Sequence, residues 1–129
     1  MGKIRKIKVL VVDNEREFAS TLAERMRLRN MEAESVNSGE EALAACSRFS
    51  PDVIVLDMQM PKMSGLDVLS QVKVVDPSIE VILLTGHGSL EVGITGMELG
   101  AFDYIIKPVD LAVLMEKIIE ANTIRRSRK

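Results

Sequence analysis

The chain has few of the residues on which many small binding sites depend. Its 129 residues include one cysteine (Cys46), one histidine (His87), one tyrosine, three phenylalanines and no tryptophan. One cysteine excludes an intrachain disulfide framework and a zinc site built on several cysteines, and one histidine excludes a histidine-rich metal site. A single cysteine is compatible with a reducing cytoplasm, where we expect the protein to act.

Long apolar runs are also lacking. No apolar segment approaches the ~20 residues that a transmembrane helix needs, so we expect no membrane partner. The basic amino terminus is followed only by the strand-length run Ile7–Val12 and then by an acidic residue, which is not the pattern of a signal peptide. At ~100–200 residues per domain, the length predicts one domain.

Charge is close to balanced but unevenly placed. Lysine and arginine number 17 and aspartate and glutamate 19, which gives a net charge of −2. The segment 125–129 holds four basic side chains and no acidic one, so the rest of the chain is acidic. An acidic body disfavours direct binding of nucleic acid by this domain. We predict a domain over 1–122 and a basic solvated tail, or the start of a linker, over 123–129.

Short apolar runs alternate with longer amphipathic segments. The runs are rich in Val, Ile and Leu, as in strands of a sheet covered on both faces. Predicted strands are Ile7–Val12, a weaker Ala33–Val36, Val53–Leu56, Val81–Leu84 and Tyr104–Ile106. Five helices are predicted between and after them, the first over roughly 15–29 and the others opened by Ser38, Ser64, Ser89 and Asp110. The pattern predicts an α/β fold with one doubly wound, five-stranded parallel sheet in the flavodoxin-like order 2-1-3-4-5.

Four predicted strands end in polar residues. Asp13 and Asn14 follow the first strand, Asp57 the third, Thr85 the fourth and Lys107 the fifth. In a parallel sheet these residues share one edge and can converge. Neighbouring carboxylates repel unless a cation separates them, and oxygen ligands suit Mg²⁺.

Together with a lysine and a hydroxyl, such carboxylates suit phosphoryl transfer, in which an aspartate can be the nucleophile. Taken singly, each residue also has a structural explanation; Asp13, for example, is a candidate cap of the first helix. Four separate structural explanations would all have to apply at the same edge of the sheet. A single combined site is therefore the better interpretation.

The motifs at this edge carry a family resemblance. They are Val11–Glu15, Pro51–Pro61, Gly65, Leu83–Gly86 and Asp103–Pro108. On these segments the chain, from about Lys6 to Asn122, resembles the response-regulator receiver domain of two-component signal transduction. The segment 85–104 is most similar to receivers that precede transcription-activator domains, including those acting with the alternative sigma factor. The resemblance therefore implies a role in transcription regulation.

The resemblance implies a phospho-acceptor and a metal site. Asp57 corresponds to the residue that accepts a phosphoryl group from the phosphohistidine of a histidine kinase. Asp13 and Asn14 occupy the positions of the family's acidic pair beside Mg²⁺, and Asp57 and the backbone carbonyl of Gln59 complete the expected ligands. Such a domain is no enzyme in the usual sense, because it catalyses only its own phosphorylation and dephosphorylation.

The resemblance also implies a conformational switch. Thr85 is expected to contact the phosphoryl group and Lys107 to pair with it, while Tyr104 matches the aromatic residue whose rotamer follows Thr85. The Lys107–Pro108 peptide bond is cis in the family, as is feasible before proline. The surface of the fourth helix, fifth strand and fifth helix is expected to bind a partner, another receiver included.

Asn14 is a departure, because the family usually has a second acidic residue there. An amide keeps an oxygen but loses a negative charge, so we predict weaker Mg²⁺ binding rather than none. The substitution also leaves open a degenerate receiver that binds proteins independently of phosphorylation.

Two further alternatives share the fold. A phosphatase or phosphotransferase with an aspartate nucleophile usually carries a second aspartate two residues later, where this chain has Gln59, so no general acid is evident. A flavin-dependent electron carrier needs a phosphate-binding loop after the first strand, where this chain has the acidic segment Asp13–Glu15. It also needs aromatic residues, which are few. We interpret His87 as an exposed loop residue.

Overall fold

The computed structural model describes residues 5–86 and 90–127, and strands and helices alternate throughout this part of the chain. The elements are β1 Lys8–Val12, α1 Arg16–Leu28, β2 Glu32–Val36, α2 Gly39–Arg48, β3 Val53–Asp57, α3 Gly65–Val75, β4 Glu80–Thr85, α4 Leu90–Glu98, β5 Asp103–Ile106 and α5 Leu111–Ser127. The predicted α/β class is confirmed. His87 and the predicted helix start at Ser89 lie outside the described residues.

The strands form one parallel sheet in the order β2-β1-β3-β4-β5, as predicted. Every residue of β3 and β4 is buried, which explains their nearly continuous apolar sequences. Successive side chains point to opposite faces of a strand. Leu10, Ile54 and Leu83 therefore pack with α2 and α3 on one face, and the residues next to them in sequence pack with α1 and α5 on the other.

Three helix starts follow the predicted capping residues. The Ser38 hydroxyl accepts a hydrogen bond from the Glu41 amide, and the Ser64 hydroxyl accepts one from the Asp67 amide. The Asp110 carboxylate accepts from two amides of the first turn of α5. These bonds satisfy donors that a helix start leaves unpaired. The capped helix starts therefore define the ends of the loops at the carboxyl edge of the sheet.

The carboxyl end of α5 differs from the prediction. The helix continues without a break through Ser127, so residues 123–127 are helical rather than a tail. Arg125 is buried, and its Nη1 lies 3.1 Å from Oδ1 of Asp52, the residue before β3. The expectation of a solvated segment is therefore wrong for Arg125, because a distant carboxylate attracts its charge inward. The other residues of 123–127 are exposed, as expected. Among the described helices, none combines the length and the apolar character needed to cross a bilayer.

Candidate functional site

Four of the predicted site residues meet at the carboxyl edge of the sheet. Asp57 and Thr85 are the last residues of β3 and β4, Asp13 follows β1 directly, and Lys107 follows β5. Asp13, Asp57 and Thr85 are each at most 2% exposed. Burial on this scale is unusual for charged residues unless they are paired, so the partners of the two carboxylates are informative.

Lys107 supplies the positive charge between the two aspartates. Its Nζ lies 3.2 Å from Asp57 Oδ1 and 3.7 Å from Asp13 Oδ2. Its amide donates to the carbonyl oxygen of Thr85 over 2.8 Å, and the Lys107–Pro108 peptide bond is cis, as predicted. The Lys107 Nζ also lies 5.5 Å from the centre of the Phe18 ring, within range of a cation–π contact. Phe18 carries no sequence signal of a site residue, because its spacing on α1 is that of an ordinary core residue.

Asp13 lies in an environment that opposes its negative charge. Burial is the largest effect and raises the pKa of its carboxyl above the ordinary value of 3.8; the hydrogen bond from the Glu15 amide lowers the pKa, and the charge of Asp57 raises it. That bond joins Glu15 N to Asp13 Oδ1 over 2.9 Å, whereas the N-cap position of α1 belongs to Glu15. Asp13 is therefore not the helix cap considered as its structural explanation.

Two buried oxygens at this edge have no hydrogen-bond partner within the described part of the chain. They are Asp13 Oδ2 and Thr85 Oγ1. Buried polar atoms are nearly always paired, and unpaired ones concentrate where a ligand or ion binds. One is a carboxylate oxygen suited to a cation, and the other is a hydroxyl that can donate to an anion.

The oxygen atoms at this edge fit a magnesium ion, although only two of the candidate ligands are carboxylates. Asp13 and Asp57 contribute carboxylate oxygens, and the backbone amide of Gln59 donates to Asp57 Oδ1 over 3.2 Å, which places the Gln59 backbone beside Asp57. Asn14 is exposed and adjacent to Asp13 in the chain. Within residues 5–86 and 90–127, no group of three or more His, Cys, Asp or Glu side chains could hold a metal ion. Hard oxygen ligands of this kind match Mg²⁺, which also retains waters.

Tyr104 lies on the face of the sheet that α4 covers. It pairs with Leu83 in the register of β4 and β5, and both side chains belong to the same apolar cluster. Thr85 is two residues after Leu83 on β4, so its side chain points to that same face. A Cβ added to Gly93 of α4 would lie 3.1 Å from carbon atoms of the Tyr104 ring. Thr85, Tyr104 and α4 are therefore neighbours in one layer.

The chain is similar to known proteins over most of its length. Residues 9–119 match the family model described as the response regulator receiver domain. The chain is 38% identical over 105 residues to the probable transcriptional regulatory protein TcrX of Mycobacterium tuberculosis, covering 81% of this chain and 45% of that protein. It is 34% identical over 111 residues to the transcriptional regulatory protein PrrA of Mycobacterium bovis, covering 86% of this chain and 48% of that one.

The solved structures give the same result. A response regulator receiver domain from Clostridium thermocellum superposes with a TM-score of 0.90 at 34% identity, covering 95% of this chain and 99% of that one. The chain spans about half the length of the curated relatives it matches. The family match includes Asp13, Asp57, Thr85 and Lys107, the four residues that meet at the carboxyl edge. The chain therefore belongs to the response regulator receiver domain family.

Proposed function

We propose that this chain is a phosphorylation-controlled switch whose acceptor is Asp57 and whose phosphoryl donor is the phosphohistidine of a histidine kinase in the cytoplasm. The observation that carries the proposal is the position of Lys107 Nζ, 3.2 Å from Asp57 and 3.7 Å from Asp13. The backbone amide of the same lysine donates to the carbonyl oxygen of the buried Thr85. This arrangement combines a carboxylate nucleophile, a cation and a hydroxyl donor at one edge of the sheet.

The chemistry is the transfer of one phosphoryl group. A carboxylate oxygen of Asp57 attacks phosphorus, the P–N bond of the donor breaks, and its electron pair returns to the imidazole nitrogen of the kinase. The product is an acyl phosphate on Asp57. Charge on the phosphoryl oxygens is stabilised by the Lys107 ammonium group and by a hydrogen bond from the Thr85 hydroxyl. The chain promotes only its own phosphorylation and dephosphorylation.

Phosphoryl transfer brings more negative charge to this edge of the sheet than the Lys107 ammonium group can balance. Asp13, Asp57 and the incoming phosphoryl group are all anionic, and Asp13 is fully buried. We propose that Asp13, Asn14, Asp57 and the backbone carbonyl of Gln59 hold Mg²⁺. When bound, the ion neutralises charge on the carboxylates and on the phosphoryl oxygens. Among these ligands Asp13 should be stabilised most by the ion, because its Oδ2 is buried and has no hydrogen bond.

The switch follows from the shared face of Thr85 and Tyr104. A phosphoryl group adds roughly two negative charges and strong acceptor oxygens, which draw the Thr85 hydroxyl towards the edge. The movement frees space on the face where the Tyr104 ring contacts α4, and the ring turns inward. The surface of α4, β5 and α5 is then presented to a second receiver or to a downstream transcription-activator domain of a longer protein. Phosphorylation shifts this equilibrium only as far as it favours one form over the other.

Intact-mass spectrometry after incubation with acetyl phosphate and Mg²⁺ tests the acceptor. We expect a gain of one phosphoryl group, lost in Asp57→Ala and lost when EDTA replaces Mg²⁺. Asp67→Asn is the matched control, because Asp67 is an exposed carboxylate in the first turn of α3 and should label normally. A folded chain that gains no phosphoryl group, from acetyl phosphate or from a histidine kinase, would contradict the proposal and favour a phosphorylation-independent protein-binding module.

A further inference from the structure

A basic cleft lies at the amino edge of the sheet, the edge opposite to Asp57. Its volume is about 310 Å³, and its lining residues are Arg5, Lys6, Asp52, Asn122, Arg125 and Arg126. Asp52 and Asp57 flank the two ends of β3, so the length of a buried strand separates the cleft from the phospho-acceptor. The function proposed above makes no use of this cleft.

The carboxylate in the cleft is fully engaged. Asp52 is 3% exposed. Its Oδ1 accepts from Arg5 Nη2 over 2.8 Å and lies 3.1 Å from Arg125 Nη1, and its Oδ2 accepts from the Lys8 amide over 2.9 Å. Both guanidinium groups therefore converge on one oxygen atom. The single negative charge of Asp52 balances only one of the two guanidinium groups, and two positive charges held at the same oxygen atom repel each other.

Positive charge remains in surplus around this ion pair. Among the described residues, four cationic side chains and one carboxylate line the cleft. The carboxyl end of α5 offsets about half a charge through its dipole. Arg125 is 9% exposed, and its Nε is buried without a hydrogen-bond acceptor in the described part of the chain. Because a guanidinium group only donates hydrogen bonds, Arg125 Nε needs an acceptor that the described residues do not supply, and the cleft that Arg125 lines carries a surplus of positive charge.

We propose that this cleft is a binding site for a phosphate-type oxyanion, seated against Arg125 and Arg5 and flanked by Lys6 and Arg126. A phosphate group supplies several acceptor oxygens and up to two negative charges, and arginine matches its geometry with paired donors. The volume admits a phosphate together with a small attached group. The same chemistry occurs in a free or small-molecule phosphate and in the backbone of a nucleic acid.

Titration of inorganic phosphate into the ¹⁵N-labelled chain without Mg²⁺ tests the site. We expect saturable shifts of the Nε–H resonances of Arg125 and Arg5. The double variant Lys6→Gln/Arg126→Gln should weaken binding about tenfold, because it removes two charged donors. Both residues are exposed, so the variant should fold normally. Arg48→Gln is the control, since Arg48 pairs with Glu34 on the surface and lies outside the cleft.

Parallel titration with a short DNA duplex separates the two sources of phosphate. Saturation by inorganic phosphate assigns the site to a free or small-molecule phosphate. Saturation of the same arginine resonances by the duplex alone, weakened in the double variant, assigns it to a nucleic-acid backbone. Unmoved arginine resonances in both titrations, or equal affinity in the double variant, would overturn the proposal. Shifts confined to residues around Lys107 would also overturn it, since they place phosphate at the opposite edge.

Discussion

Asn14 lies at the position for which the family resemblance implies a second carboxylate beside the proposed Mg²⁺. The described site has two buried carboxylates, Asp13 and Asp57, and one ammonium group already between them. Cation affinity depends strongly on the number of charged ligands, so Asn14→Asp should bind Mg²⁺ about tenfold more tightly. Isothermal titration calorimetry on both chains measures this directly.

The matched control for Asn14→Asp is Asp67→Asn, which makes the reverse exchange of a carboxylate for an amide. Asp67→Asn changes the net charge by one unit on an exposed part of α3, and it should leave Mg²⁺ affinity unaltered. Equal Mg²⁺ affinity of the natural chain and Asn14→Asp would show that the amide already suffices. It would then remove Asn14 as the reason for expecting a weak metal site.

Asp13 gives a pH-dependent prediction. Burial raises the pKa of its carboxyl in the folded chain above 3.8, so the folded state holds its proton to higher pH than the unfolded state does. The folded chain therefore loses stability as pH rises from about 4 through the raised pKa, and the full loss is present above it. Asp13→Asn removes this charge and should raise the free energy of unfolding by about 1 kcal/mol at pH 7.

Urea unfolding in EDTA, followed by circular dichroism, measures that gain. The gain should shrink as the pH is lowered towards about 4, where the unfolded carboxyl also takes up its proton. Added Mg²⁺ should stabilise the natural chain more than Asp13→Asn, because an ion that binds only the folded state stabilises by mass action. A less stable Asp13→Asn in EDTA at pH 7 would mean that the bonds made by its carboxylate outweigh the cost of its burial.

At the scale of the elements, the strands and the site could be predicted from the sequence because both depend on local patterns, and the alternation of strands with helices indicated the flavodoxin-like strand order. Apolar runs mark the buried strands, and a polar residue at the end of each run marks the edge at which Asp57 and Thr85 lie. The end of α5 could not be predicted this way. Arg125 is buried because Asp52, far away in the sequence, accepts its charge, and a run of basic residues contains no information about that partner. The shared face of Thr85 and Tyr104 likewise required the register of β4 and β5.

Helix α4 packs so closely on β4 that one glycine is required for the contact. A Cβ added to Gly96 would overlap Cδ1 of Leu83, which is fully buried. Alanine favours a helix over glycine by about 1 kcal/mol, whereas overpacking a core costs about 1–3 kcal/mol. We expect Gly96→Ala to lower the free energy of unfolding by about 1 kcal/mol in urea titrations. Thr95→Ala, at an exposed position of the same helix, should be neutral or slightly stabilising, and a stabilised Gly96→Ala would show that α4 moves freely away from β4.

At the scale of the whole molecule, exposed apolar residues lie on the elements that the switch is proposed to move. Ile94 on α4, Ile106 on β5 and Ile119 on α5 are 48%, 44% and 52% exposed. β5 is an edge strand of the sheet, and both α4 and α5 contact its neighbour β4. Apolar side chains on adjacent elements suit a protein interface, for which about 800 Å² per partner is typical. If a second receiver binds there after phosphorylation, these exposed apolar side chains form the dimer interface.

We expect the chain to sediment as a monomer in EDTA and as a dimer after treatment with acetyl phosphate and Mg²⁺. Ile94→Lys/Ile119→Lys should keep the phosphoryl mass gain but sediment as a monomer, because unpaired ammonium groups are costly to bury. Val74→Lys is the control: Val74 on α3 is 84% exposed, more so than either isoleucine, yet it lies on another part of the surface. A dimer that survives the double lysine substitution, or one that Val74→Lys abolishes, would place the interface elsewhere. Intact phosphorylation in all three chains separates this result from a failure of the site at Asp57, so the measurement bears on the surface alone.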